Sequence, residues 1–319
     1  MSIFKYKIQI RTDMDVVDFQ IIADLFKDPF ASMQDIGNEL GISETSIRKR
    51  LKSLSGDPTR FAMHLIPSPF YFKRKAVSFI FENKEFNKTI KEELLKIADV
   101  VFIWSDHNRN IIITAYLKGE TADITHELEK LMGIKSQIIK PGLFSVAGGS
   151  GSISRIEWKV IYHLIENPRI TSTSISRRTG LSRKTVMKYR TKMLDQKILL
   201  PVYSGDFSNS GSMIFGLIVQ FRSQGTKIRF SNKKLLEAVS FSNSRGAYYI
   251  GFSESVAEFE DLMKTLGKMP EVENFTLSVP TGGIVAVSRI KDWVSDEINV
   301  SGSSLFPDAE YSANVPDRS

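Results

Sequence analysis

The sequence predicts an α+β protein built as two repeats, each a winged helix-turn-helix followed by a ferredoxin-like βαββαβ sandwich. Three observations carry that prediction. The stretch "DIGNELGISETSIRKRLKSL" at 35–54 is echoed by "SISRRTGLSRKTVMKYRTKML" at 174–194. Gly41 and Gly180 fix an offset of 139 residues (180 − 41), which also aligns Asp18 with Glu157, Ile21 with Val160, Pro29 with Pro168, Ile36 with Ile175 and Ile47 with Val186. A register kept through a proline, a glycine and the apolar positions marks a duplication. Finally, each basic block is followed by short apolar runs with strand spacing, separated by amphipathic stretches.

Each repeat opens the same way. A first helix at about 15–27 carries Val16, Phe19, Ile22 and Phe26 at helical spacing. Pro29, or Pro168, ends it, and Ser32, or Thr171, is placed to cap a short second helix. Gly41 and Gly180 supply a sharp turn, and Ser43 and Ser182 stand where a third helix needs an N-cap oxygen. The wings follow, "TRFAMHLIPSPFYF" at 59–72 and "ILLPVYSGDF" at 198–207.

The next pattern is that of a sandwich. Strands are predicted at 76–81, 100–104, 111–117 and from Gln137, with helices at 84–97 and 120–132. The second copy reads as strands at 213–221, 247–252 and 272–279, with helices near 232–240 and at 254–267 and a weakly marked strand near Phe241. The predicted boundaries are a first winged helix-turn-helix at 1–72 and a first ferredoxin-like domain at 73–147. A linker, "GGSGS", takes 148–152, ahead of a second winged helix-turn-helix at 153–212 and a second ferredoxin-like domain at 213–290. Residues 291–319, Ser-rich and acidic, are expected to form a disordered tail.

Composition narrows the function. The chain has no cysteine, which removes disulfides, thiol nucleophiles and thiolate metal sites. No apolar run approaches a membrane span, and "MSIFKYKIQIRTD" lacks a signal core, so a cytoplasmic location is expected. The net charge of +7 suits a polyanionic partner.

That charge gathers on the third helices. In the first, Ile47, Leu51 and Leu54 form the inward stripe, leaving Ser43, Thr45, Ser46, Arg48, Lys49 and Lys52 for a partner. In the second, Val186 and Met193 point inward, leaving Ser182, Arg183, Lys184, Thr185, Lys188 and Lys192. A helix sized for the major groove reads base edges from its first turns and holds phosphates with flanking cations. Double-stranded DNA is therefore the expected partner, with Arg60 and Lys73 by the first wing as further phosphate contacts.

The two trihelical units, each followed by βαββαβ, resemble the leucine-responsive regulator (Lrp/AsnC) family of prokaryotic transcription factors. The resemblance rests on "MDVVDFQIIADLFKDPFASMQDIGNELGISETSIRKRLKSL", where Asp15 and Asp18 match the family's opening acidic pair and Arg50 its recognition-helix arginine. The second copy has Tyr189 at that place. The family implies sequence-specific DNA binding and a homodimer through the ferredoxin-like sheets, often with an amino acid between them. This chain has Ser105-Asp106, and Ser244-Arg245-Gly246, where the family's effector motif would stand, so no small-molecule effector residue is assigned. Duplication implies that one chain acts as a pseudo-dimer with two unlike recognition helices.

No enzyme is expected. His64, His107, His126 and His163 lack metal-ligand or acid–base spacing, and "GGSGS" lacks the Lys-Ser/Thr of a phosphate loop. Neither cofactor nor metal is assigned. Two alternatives stand beside this reading: a protein-interaction module without DNA binding, and a tetrapyrrole (siroheme-type) decarboxylase-like enzyme on the same architecture.

Overall fold

The computed structural model describes residues 14–55, 62–139, 152–206, 213–223, 226, 228, 235–240 and 245–300. The two helix-turn-helix units form as the caps dictate. In the first, α1 (Val16–Lys27) is closed by a capping box in which the Asp15 carboxylate accepts from the Asp18 amide and Asp18 answers to the Asp15 amide. Then α2 (Met33–Leu40) starts on Ser32 and ends at Gly41, whose φ of 69° lies in the left-handed region that glycine adopts most readily. The third helix is α3 (Glu44–Ser55). In the second unit α6 (Arg155–Glu166) repeats the box with Ser154 and Glu157, α7 (Ser172–Thr179) ends on Gly180 at φ 72°, and α8 (Arg183–Asp195) is capped by Ser182.

Between the two units lies the first sandwich. It comprises β2 (Lys75–Phe81), α4 (Lys88–Leu94), β3 (Val100–Asp106), β4 (Ile111–Leu117), α5 (Thr121–Met132) and β5 (Gln137–Ile139). Its strands run in the order β5-β2-β4-β3. The helices bury Phe79, Phe81, Leu94, Ile113 and Leu128 on one face. The second sandwich has β7 (Met213–Phe221), β8 (Leu235–Ser240), β9 (Gly246–Ser253), α9 (Val256–Lys268) and β10 (Val272–Ser278), in the equivalent order β10-β7-β9-β8.

The predicted helix near 232–240 is corrected. Residues 235–240 are β8, paired antiparallel with β9 from Leu235↔Gly251 to Ser240↔Ala247. Helix-compatible leucines were overridden by an open ladder edge on β9, where each backbone N–H needs a partner.

A second correction concerns the end of the second sandwich. After β10 the chain crosses to the first sheet as β11 (Pro280–Val285), pairing β3 from Pro280↔Asp106 to Val285↔Phe102. Through Gly282↔Asp206 it also meets β6 (Leu199–Asp206), the second wing, which pairs in turn with β1 (Ala62–Pro67), the first wing. One seven-stranded sheet, β1-β6-β11-β3-β4-β2-β5, therefore joins both repeats. The predicted 213–290 unit thus gives its last strand to the other repeat.

The start of the tail is corrected too. Residues Val287–Val300 form α10, with Ile290, Val294 and Ile298 fully buried in the same core as Trp158, Ile161 and Ile165 of α6. Serines and acids on the outer face hid an apolar stripe at i, i+4, i+8. Residues 301–319, and 148–151 of the expected linker, lie outside the described residues.

Packing is crossed between repeats. The second helix-turn-helix shares its core with Val101, Phe102 and Tyr116 on the first sheet's free face. The first helix-turn-helix packs Phe19 and Ile22 on Ile214 and Phe252 of the second sandwich, with Phe19 stacked on Phe252 at 5.4 Å. Trp104 on β3 stands 5.2 Å from Tyr248 on β9. The two sheets thus touch within one chain.

Two outcomes follow from this packing. Ile290→Ala should cost about 2–5 kcal/mol in urea unfolding, as for other large-to-small core changes. His64, on the wing ladder with Nε2 2.7 Å from Ser204 Oγ, is pushed down by burial to about 4. The unfolded chain takes up that proton near pH 6.5, so between about 6.5 and 4 stability should fall as pH falls. In His64→Gln the melting temperature should depend less on pH across that window.

Candidate nucleic-acid interface

The third helices are held by their inward faces. Ile47 is fully buried among Ile21, Leu25, Met33 and Ile36, and Val186 and Met193 are fully buried in the large core. That anchoring leaves Ser43, Thr45, Arg48, Lys49 and Lys52 exposed on the first unit and Ser46 half-buried. On the second unit Ser182, Arg183, Lys184 and Lys188 are exposed and Thr185 is half-buried. Both cap serines do structural work as well. Ser43 Oγ accepts from the Ser46 amide at 3.2 Å, and Ser182 Oγ accepts from the Thr185 amide at 3.1 Å.

The cations divide into engaged and unengaged. Arg48 is bound to Glu44 one turn back, at 2.5 Å. Lys49, Lys52, Arg183, Lys184 and Lys188 have no ion pair among the described residues. Arg50 faces inward, contacting Asp15 and Asp18 at 2.8 Å each. Burial by itself would lower its basicity, but the bonds to Asp18 and Asp15 outweigh that and raise it. The family-matching arginine is therefore a clamp between α3 and the cap of α1.

The second repeat builds its clamp from different residues. Tyr189 cannot pair with Glu157, and the cation comes from Lys192, one turn later, at 2.5 Å from the Glu157 carboxylate. Burial would raise the Glu157 pKa, but its bonds to Lys192 and to the Ser154 amide and hydroxyl bring it below the ordinary value. Lys192 is thus corrected: it was assigned to the DNA face and it sits at the helix–helix joint. Counting positions from the turn put it outside, but its face coincides with that of Tyr189.

Two arginines enter the region without a signal in the helix pattern. Arg169, just after Pro168, donates to the carbonyls of Pro29 at 2.7 Å and Ala31 at 3.0 Å, bridging the two units. Arg190 stands 4.0 Å over the Phe30 ring and donates to Ser172 Oγ at 2.8 Å. With Arg48 and Arg183 they border one cleft of about 860 Å³ between the two units. Only an offset comparison would have flagged Arg169, since Phe30 holds its place in the first copy.

The other candidate positions lie elsewhere. Lys73 ends the short turn Pro69–Phe72 in a left-handed conformation, and Arg60 and Ser244 lie outside the described residues. Ser105 Oγ is 2.8 Å from Thr281 Oγ1, and Asp106 accepts from Ser278 at 3.1 Å and from the Asn110 side chain at 3.0 Å. Ser105 thus ties β3 to β11, and Asp106 ties β3 to β10 of the second sandwich. His163 is buried with Nδ1 3.9 Å from Glu166. Among the described residues no group of His, Asp and Glu is placed to hold a metal, and no helix is long and apolar enough to cross a membrane.

Both helix-turn-helix segments match known families. Residues 14–55 match the AsnC-type helix-turn-helix domain, and residues 153–199 match a winged helix-turn-helix DNA-binding domain. No curated protein matches the chain. Among solved structures, the siroheme decarboxylase NirDL is similar at 13% identity over 89% of this chain and 99% of its own, with a TM-score of 0.42. An AsnC family transcriptional regulator from Agrobacterium tumefaciens is 18% identical over 40% of this chain and 87% of its own, at a TM-score of 0.27. E. coli AsnC is 14% identical over 40% and 92%, at 0.26. The first helix-turn-helix is thus of AsnC type and the second of winged DNA-binding type, on an α+β fold. One expectation is overturned: the sequence reading excluded an enzyme, and a structure similar over 89% of the chain is a decarboxylase. At these identities and TM-scores the likeness carries no activity over to this chain.

The clamps make a direct stability prediction. Asp18 is nearly fully buried, so Asp18→Asn should destabilise by up to about 3 kcal/mol, as when a buried pair loses one partner. Lys49→Ala, with no pair to lose, should change stability by less than about 0.5 kcal/mol. Urea midpoints of the two variants compare them directly.

Proposed function

We propose that this protein is a sequence-specific DNA-binding transcription regulator in which one chain presents two unlike recognition helices to double-stranded DNA. The observation that carries this reading is the distribution of exposed cations. Each third helix follows a serine cap, is anchored by buried apolar residues, and keeps unpaired cations outside while a separate basic residue serves the internal clamp. A merely solvated helix has no need of that division.

The exposed faces share Lys49 and Lys188 but differ around them: Glu44, Thr45 and Arg48 in one copy stand against Arg183, Lys184 and Met187 in the other. The two helices therefore favour different bases, and the target is asymmetric. Their spacing bears on its length. Arg48 and Arg183 border one cleft of about 860 Å³, whose walls cannot stand ~34 Å apart, the separation of half-sites one helical turn apart. In this arrangement the helices form one composite basic face over a short site. Reaching separated half-sites would require breaking the Arg169 bonds to Pro29 and Ala31.

Binding should weaken steeply with salt, because the phosphate contacts release counterions. Replacing Lys49 and Lys188 together by Ala should weaken binding to all sequences alike and reduce the log–log salt slope by about 1.8, or about 0.9 per phosphate. Thr45→Ala and Arg183→Ala should instead shift the bases preferred in a selection from random DNA. Unchanged affinity and slope in the double variant would remove these helices from the interface.

A further inference from the structure

The cleft between the two helix-turn-helix units has a composition that DNA reading by the helices does not explain. Its volume of about 860 Å³ lies within the range of small-molecule sites, roughly 300–1,000 Å³. Four guanidiniums border it; Arg190 is half-buried and Arg169 reaches across from the second unit to the first. Arg169 and Arg190 are held by neutral partners only, the Pro29 and Ala31 carbonyls and the Ser172 hydroxyl. The Nε of Arg190 is buried and has no hydrogen-bond partner. Arg183, at the rim, has no ion pair among the described residues.

Three carboxylates border the same cleft and leave it a net excess of one positive charge. Glu44 is tied to Arg48, and Asp28 accepts the Phe30 amide at 2.8 Å. Asp195 borders the cleft at the far end of α8. Partial burial lowers the basicity of Arg169 and Arg190, as do the neighbouring Arg48 charge for the first and the Arg169 charge for the second, with Asp28 opposing. Positive charge is thus concentrated in a partly desolvated recess, where a planar guanidinium fork binds carboxylate or phosphate best. Apolar surface lies alongside: Met187 is 52% exposed, and the Phe30 ring forms the other wall beneath Arg190.

We propose that the cleft between the two helix-turn-helix units binds a small organic anion, its phosphate or carboxylate on Arg183, Arg190 and Arg169 and its apolar body on Met187 and Phe30. A ligand there would bridge α8 to the first unit and lock the spacing of the two recognition helices. The site is separate from Ser105 and Asp106.

Isothermal titration of the full chain tests this without DNA, so its outcome does not depend on whether the protein binds DNA. Adenosine monophosphate supplies a phosphate on a planar body, indole-3-acetate supplies a carboxylate, and adenosine and inorganic phosphate are the controls. The expected result is saturable one-to-one binding of at least one organic anion, tighter than inorganic phosphate, with no binding of adenosine. Arg183→Ala, at an exposed and unpaired residue, should weaken it at least about tenfold, the loss of one charge-assisted hydrogen bond. Arg190→Gln should do the same, and Lys130→Ala, on the outer face of α5, should leave it unchanged. No saturable binding of either organic anion overturns the proposal, as does equal weakening by Lys130→Ala and Arg183→Ala.

Discussion

The strand Pro280–Val285 holds the molecule in one piece. A ferredoxin-like sheet in the order β5-β2-β4-β3 leaves β3 as an edge, with a row of unpaired N–H and C=O groups. Here β11 covers that edge on one side and receives the second wing on the other. Because β11 follows β10 with one intervening residue, its pairing fixes where the second sandwich lies relative to the first. It also delivers α10 directly onto α6, where Arg289 donates to the carbonyls of Val100 and Leu95. The crossed packing of the two helix-turn-helix units rests on this link.

Crossing changes what duplication does for a protein of this kind. Two self-contained repeats joined by a linker would move freely. In this chain the first helix-turn-helix lies on the second sandwich and the second on the first sheet, so each unit is held by the other repeat. The polar joint of Ser105 with Thr281 and Asp106 with Ser278 adds direction to a contact that is otherwise apolar. Ser105 and Asp106 thus serve as fasteners.

The helix-turn-helix units show how one chemical type serves two roles. A cation facing the cap of the first helix is desolvated and must meet a carboxylate, as Arg50 does with Asp15 and Asp18. A cation one position away on the helix remains hydrated and available. In the second repeat the carboxylate is one methylene longer and the cation one turn later, yet the clamp closes at 2.5 Å. The constraint is the closed pair, and either residue set satisfies it.

Much of this was determined by local sequence. Caps, the two positive-φ glycines, the apolar stripes and most strands are set by contacts a few residues apart, and so is the exposed basic face with Lys49 and Lys188. What the sequence could not decide depends on long-range partners. Leu235–Ser240 is a strand because β9 offers an edge, Lys192 is a clamp because Glu157 faces it, and Val287–Val300 is a core helix because β11 carries it to α6. The cleft of arginines belongs to this second class: Arg169 and Arg190 reach Pro29, Phe30 and Ala31 only when the two units are brought together, since no spacing along the chain encodes a gap between them.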